Sequence, residues 1–302
     1  MDNESTNDKQ TRKTRSGIVI FSIVAAVFIV LAVLWSPVIS PALQYLEVNK
    51  QISKANNLIS KGEYQSARII LCKLVDEEEI PIKKRLEALG SLKKSEVLYY
   101  TKHFQTVKVG DIVKFGTYEQ DGDFSNGKED ITWLVLAKES NKVLLISKNA
   151  LACKRYNNKA DSVTWESCSL RKWLNDSFLH DAFSAGEQAM VQDTYVTADE
   201  NPYYITSPGN ATSDKVFLLS ISDADKYFGS KAARICVPTD YASASGGYCN
   251  SKTGACWWWL RSPGSYNNYE AAYVEDDGSY DSLYVIMDSF CVRPALWIDL
   301  ER

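Results

Sequence analysis

Residues 257–298, WWWLRSPGSYNNYEAAYVEDDGSYDSLYVIMDSFCVRPALWI, hold three β-rich runs separated by turn residues. WWWLRSPG is apolar and aromatic and stops at Ser262-Pro263-Gly264. AAYVEDDGSYDSLYVI has the form of a hairpin, because Asp277-Gly278 between alternating apolar residues is a strong short-range turn signal. CVRPALWI reads as a closing strand, with Pro294 implying an edge position or a bulge, since proline donates nothing to a ladder.

Upstream, the pattern is also of short strands. GDIVKFGTY, ITWLVLA and KVLLISK are strand-like, the last two joined by the polar turn KESN. SLRKWLNDSFLHDAF then carries an apolar stripe, Leu170, Trp173, Leu174, Phe178 and Phe183, and predicts a helix capped by Ser169. AGEQAMVQD predicts a second helix and TYVT a strand. VFLLSI predicts a buried strand, and SDADKYF a helix capped by Ser222 with Asp225 at its third position. Residues 106–302 are therefore expected to be an α+β domain, with two helices beside a small, irregular, mostly antiparallel sheet.

Before this domain the period changes to three and four. Ala55, Leu58 and Ile59, then Ala67, Ile70, Leu71 and Leu74, predict helices separated at Gly62, and Pro81 opens a third run. Residues 36–105 read as a helical stem. Further upstream, residues 17–35, GIVIFSIVAAVFIVLAVLW, contain no charged residue and follow Lys9, Arg12, Lys13 and Arg15. A helix of that length spans about 28 Å, close to the hydrocarbon thickness of a bilayer. The stretch exceeds the apolar core of a signal peptide, and it predicts an uncleaved single-pass anchor. Residues 1–16 would form a cytoplasmic tail, with the C-terminal domain extracytoplasmic.

The chain is 45% hydrophobic and 24% charged with net charge −4, a balance that argues against a disordered chain and against a nucleic-acid partner. Six of its seven cysteines follow residue 150. An extracytoplasmic setting permits disulfides, but their pairing cannot be read from spacing. Cys249 and Cys256, bracketing a short polar loop, are the candidate pair, and buried free thiols remain the alternative.

The ordered blocks GDIVKFGTYEQ, TWESCSLRKWLND, VFLLSISDADKYF, WWLRSPG and VRPALWI resemble a family of bacterial extracytoplasmic domains of unknown function. The closing pattern is similar to that of C-type-lectin-like domains, a superfamily that includes the formylglycine-generating enzymes. That resemblance implies a C-type-lectin-like fold. NNLISKGEYQSARIILCKLV in the stem resembles a single tetratricopeptide-type hairpin. Formylglycine-generating enzymes use a cysteine pair after the strand that matches WWWLRSPG. Here no cysteine follows Arg261 until Cys291, so the resemblance does not extend to that activity.

No catalytic constellation is recognisable. His103 and His180 are the only histidines, and no HExxH, CxxC, GxSxG or P-loop spacing occurs. Asp121, Asp123 and Ser125 alternate as in a calcium loop, but glycine comes one place late and Thr132 stands where a bidentate glutamate belongs. No metal or cofactor is implied. Ten of the seventeen tyrosines follow residue 200, several in polar loops, where tyrosine supplies rigid amphipathic contact area. The candidate ligand residues are Tyr248, Trp258, Tyr266, Asn267 and Tyr269, in loops around 243–256 and 262–270. Arg261 and Arg293, in apolar strands, are expected to brace carboxylates.

The expected function is that of a membrane-anchored binding module for a cell-envelope glycan or a protein. The alternatives are an enzyme of the sulfatase-modifying type acting on a peptide cysteine, and a structural or assembly protein of the envelope.

Overall fold

A computed structural model describes residues 43–266 and 268–301 of the chain. The anchor expected over residues 17–35 and the candidate Asn267 lie outside the described residues. Among the described residues, no helix is long and apolar enough to cross a membrane. The chain divides into two compact units at Leu92/Lys93.

The first unit is helical: α1 (residues 43–60), α2 (Tyr64–Asp76) and the first part of α3 (Ile82–Thr106). Gly62 separates α1 from α2 at φ 78°, a left-handed conformation that glycine adopts without steric cost. Ala55, Ile59, Ala67, Leu71 and Leu74 are buried, so the three- and four-residue periodicity marks the packed face.

The second unit is a mixed α+β domain with antiparallel sheets. One sheet has the order β1-β2-β3-β12-β7. Its strands are β1 (Ile112–Tyr118), β2 (Glu129–Lys138), β3 (Lys142–Ser147), β7 (Val216–Phe217) and β12 (Ala295–Asp299), all in antiparallel pairs. The other large sheet has the order β10-β9-β8-β11-β4. It comprises β4 (Ala152–Cys153), β8 (Trp258–Pro263), β9 (Glu270–Val274), β10 (Tyr280–Tyr284) and β11 (Cys291–Val292). Within it only β8 and β11 run parallel. β5 (Thr194–Val196) and β6 (Thr212–Asp214) form a small ribbon.

The run CVRPALWI is not one strand. β11 belongs to one sheet and β12 to the other, and Arg293-Pro294 carries the chain between them. Pro294 lacks an N–H but still accepts a bond from Ser147 N–H (2.9 Å), which suits a residue leaving one ladder for another. VFLLSI likewise contributes only β7, although Leu218 and Leu219 beyond it are fully buried.

The helix predicted over 169–183 forms as α4 (Ser169–Trp173), a π-helical turn (Leu174–Phe178) and α5 (Leu179–Ala182). Its cap is Cys168, whose sulfur accepts from the Arg171 N–H, and Ser169 is the first helical residue. The π-turn keeps Phe178 pointing inward, 5.1 Å from the Tyr118 ring. Phe183 follows, 5.2 Å from Phe115 and 6.2 Å from Trp133, and these rings bury one face of the first sheet. Trp133 is fully buried with its indole N–H on Phe115 O (2.6 Å), so the ring's apolar area is bought without an orphaned donor. On the second sheet, Trp259 stacks on Phe290 at 4.0 Å and donates to Lys154 O.

Four short helices complete the domain: α6 (Ala185–Met190), α7 (Ile221–Tyr227), α8 (Lys231–Arg234) and α9 (Asp240–Ala244). α7 is capped by Ser220 with Asp223 at the third position, two residues earlier than the spacing Ser222/Asp225 suggests. That shift frees Asp225 from capping and sets it on the helix body.

Candidate functional site

Asp225 lies in a cleft of about 460 Å³, walled by α7, α8, the start of β10 and the loop 200–208. An adjoining cavity of about 640 Å³ runs along that loop and shares Asn201, Tyr203 and Tyr204 with the first. At the centre, Arg234, Asp225 and Tyr280 are mutually bonded. The Arg234 Nη1 donates to Asp225 Oδ1 and to the Tyr280 hydroxyl oxygen (both 2.7 Å), and the Tyr280 hydroxyl donates to Asp225 Oδ1 (2.7 Å). The guanidinium also stands 4.1 Å from the centroid of the Tyr280 ring. Burial, followed by the bond to Asp225, pushes the Tyr280 hydroxyl well above its ordinary value, so it works as a neutral donor.

The hairpin turn sets one wall. Gly278 has φ 85°, and its carbonyl accepts from Arg234 Nε (2.9 Å), while Asp277 pairs with Lys231 (2.6 Å). Hydrogen bonds from Lys231 and Ser279 hold the Asp277 carboxyl far below its usual range. Asn201 fixes the opposite wall: its side-chain amide donates to Pro263 O (2.7 Å) and its Oδ1 accepts from the Tyr203 N–H (2.9 Å). Beyond this anchor, Tyr203 and Ile205 are exposed, at 62% and 111%.

Arg261 ties the two sides together. Its side chain is 4% exposed and bonds Asp199, just before the loop, and Asp223, in the first turn of α7. The expectation that it braces carboxylates matches this geometry. Arg293 behaves differently: it donates to Ser147 O (2.9 Å) and lies against the rings of Phe228 and Trp258.

The sequence-derived candidates fall in several places. Trp258 is fully buried, donates its indole N–H to Arg234 O (3.1 Å), and supports the cleft from beneath without reaching a ligand. Tyr248 is half-buried and stacked on Trp257 at 4.0 Å. Tyr266 and Tyr269 are exposed, with ring centroids 6.2 Å apart, on the turn that joins β8 to β9. Cys249 and Cys256 face each other across an antiparallel bridge, both as free thiols. None of these lines the cleft. Tyr203 and Tyr204, which do, follow Glu200-Asn201-Pro202, and the paired tyrosines in a proline-bounded polar loop were the available signal.

Glu119, Asp121 and Glu129 bring carboxylate oxygens within 4.8 Å of one another. Each is already engaged: Glu119 accepts from Gly122 N–H, Asp121 from Asp123 N–H and the Asn126 amide, and Glu129 from Gln120 N–H. These bonds shape the turn between β1 and β2.

The structure thus defines a mixed α+β domain of antiparallel sheets with a tyrosine-lined polar cleft at one end of a hairpin. The chain belongs to the family described as Domain of unknown function (DUF6273), whose model matches residues 140–300 and so takes in every cleft residue. No curated protein and no solved structure matches the chain.

Proposed function

We propose that the protein is a binding module, not an enzyme, and that its cleft takes a glycan of the cell envelope. The observation that carries this reading is the preorganised Arg234–Asp225–Tyr280 group beside the exposed rings of Tyr203 and Tyr204. Tyrosine faces suit the apolar C–H faces of a sugar ring, and a fixed carboxylate, guanidinium and hydroxyl suit adjacent sugar hydroxyls. The lysine, arginine and carboxylates of the cleft are largely paired with one another, which favours a neutral over a strongly charged sugar.

The uncharged stretch 17–35 supports a single-pass anchor with the domain presented outside the cell. The closing strands, split between two sheets, are compatible with a C-type-lectin-like ancestry. The test is binding of cell-wall glycan fragments to the full chain, alone and with Tyr203→Ala. Saturable binding weakened at least tenfold by the substitution supports the proposal. Folded protein that binds no glycan but captures an envelope protein would replace it with a protein-binding reading.

A further inference from the structure

Five of the seven cysteines gather on one side of the second sheet, and Cys256 stands at their centre. Its thiol interacts with those of Cys236 and Cys291 closely enough to hold it in the neutral form. Its backbone N–H donates to Cys236 O (2.8 Å). Across the chain from it lies Cys249, and the neighbouring bond Asn250 N–H to Ala255 O (2.8 Å) makes Cys249/Cys256 a non-hydrogen-bonded pair. Such pairs have the shorter Cα separation of an antiparallel ladder, about 4.5 Å, which is within the span a disulfide bridges. Cys291 and Cys153 face each other in the same way between β11 and β4.

The members differ in access. Cys249 is exposed and its thiol donates to Gly254 O (3.1 Å), whereas Cys236, Cys256 and Cys291 are buried. Cys236 also has a cation beside it. Arg293 is 3% exposed, its guanidinium donates to the carbonyls of Ser147, Arg234 and Lys148, and it shares Lys148 O (3.5 Å) with the Cys236 thiol (3.6 Å). A buried guanidinium bonded to carbonyls alone lacks a counter-charge, and a thiolate at Cys236 provides one. Burial opposes that thiolate, but the Cys256 hydrogen bond and Arg293 together hold Cys236 below the ordinary thiol value.

We propose that Cys249, Cys256 and Cys236 form a thiol–disulfide exchange site in which Cys256 is the shared sulfur. A disulfide donor, RSSR, reacts at the exposed Cys249 to give a mixed disulfide and RSH. Cys256, its proton passing to the departing RS group, then attacks the Cys249 sulfur, releases the second RSH and forms Cys249–Cys256. The Cys236 thiolate attacks the Cys256 sulfur, the Cys249–Cys256 bond breaks, and Cys249 leaves as thiolate. The net change is two protein thiols oxidised and one RSSR reduced to two RSH, with the crosslink ending inside the domain as Cys236–Cys256. Attack in the reverse direction by Cys249 returns the oxidising equivalent to the surface.

The test uses the full chain, reduced, in detergent micelles. Oxidised glutathione is added as RSSR, samples are quenched by alkylation at intervals, and crosslinks are mapped by mass spectrometry without reduction. Cys249–Cys256 is expected first and Cys236–Cys256 later. Cys236→Ala should stop the sequence at Cys249–Cys256. Cys249→Ser changes only an exposed side chain, and near-ultraviolet circular dichroism checks its fold. It should slow formation of Cys236–Cys256 at least tenfold. A Cys236–Cys256 bond that forms at an unchanged rate in Cys249→Ser overturns the proposal. So does a wild-type protein that forms no crosslink to Cys256, or joins Cys256 first to Cys291.

Discussion

Replacing Arg261 by methionine keeps a long apolar stem and removes one buried positive charge that spans the cleft. The guanidinium bonds Asp199 at 2.7 Å and Leu218 O at 3.0 Å, and it also bonds Asp223 and Thr197 O. Without it, two carboxylates, each 24% exposed, face one another with no cation between them. Breaking a buried pair by removing one partner costs about 3–5 kcal/mol. Partial solvation of both carboxylates places this case near the lower end, about 3 kcal/mol. For a unit of the size of residues 93–302, each kcal/mol lowers Tm by about 2–4 °C, so a fall of about 6–12 °C is expected. Arg261→Lys restores the charge without the planar fork and should recover part of the loss. Thermal unfolding followed by tryptophan fluorescence reads both variants. A methionine variant melting within about 2 °C of the parent would show that Arg261 does not brace the cleft.

Gly278→Ala tests the hairpin wall: at φ 85° an added Cβ would sit 2.0 Å from Lys231 O, so loss of at least about 1–3 kcal/mol in denaturant unfolding is expected, and no loss would refute the turn geometry. Burial pushes the Cys168 thiol up to about 12, leaving a thiolate fraction of about one in ten thousand at pH 8. Iodoacetamide should therefore label exposed Cys249 more than about a hundredfold faster than Cys168 in folded protein, and equal rates would contradict the burial. The depressed Asp277 carboxyl contributes stability that is present above the unfolded-state pKa and is lost as pH falls through its lower folded-state value. Both partners of its pair with Lys231 are half-exposed, so Asp277→Asn should flatten the acid limb of a stability-against-pH curve only slightly. A carboxyl that titrates by NMR at the usual aspartate value would sink this reading.

The strands and helices with strong local signals were legible in sequence. Asp277-Gly278 forms its hairpin, β1 to β3 lie where the apolar runs put them, and Gly62 and Pro81 bound the helices of the first unit. Caps were misplaced where two signals compete. Ser220 precedes Asp223 at capping-box spacing just as Ser222 precedes Asp225, and Cys168 accepts the bond expected of Ser169. Within CVRPALWI, Pro294 marks the interruption, but which neighbour each half pairs with is a tertiary matter that the run does not encode. For the same reason Trp258 looked like a binding residue. Its place in an aromatic run does not say that the indole faces Arg234 O inside the domain. The cleft itself joins residues 201, 225, 234 and 280, separations that no local pattern connects.

The measurement that bears most directly on the proposed function is the affinity of the full chain for a panel of cell-wall glycan fragments, read for wild type, Tyr203→Ala and Tyr266→Ala with and without a calcium chelator. The account predicts a chelator-insensitive hit that Tyr203→Ala weakens at least tenfold and Tyr266→Ala leaves within twofold. Binding that depends on Tyr266, or that ignores Tyr203, contradicts the assignment of the cleft.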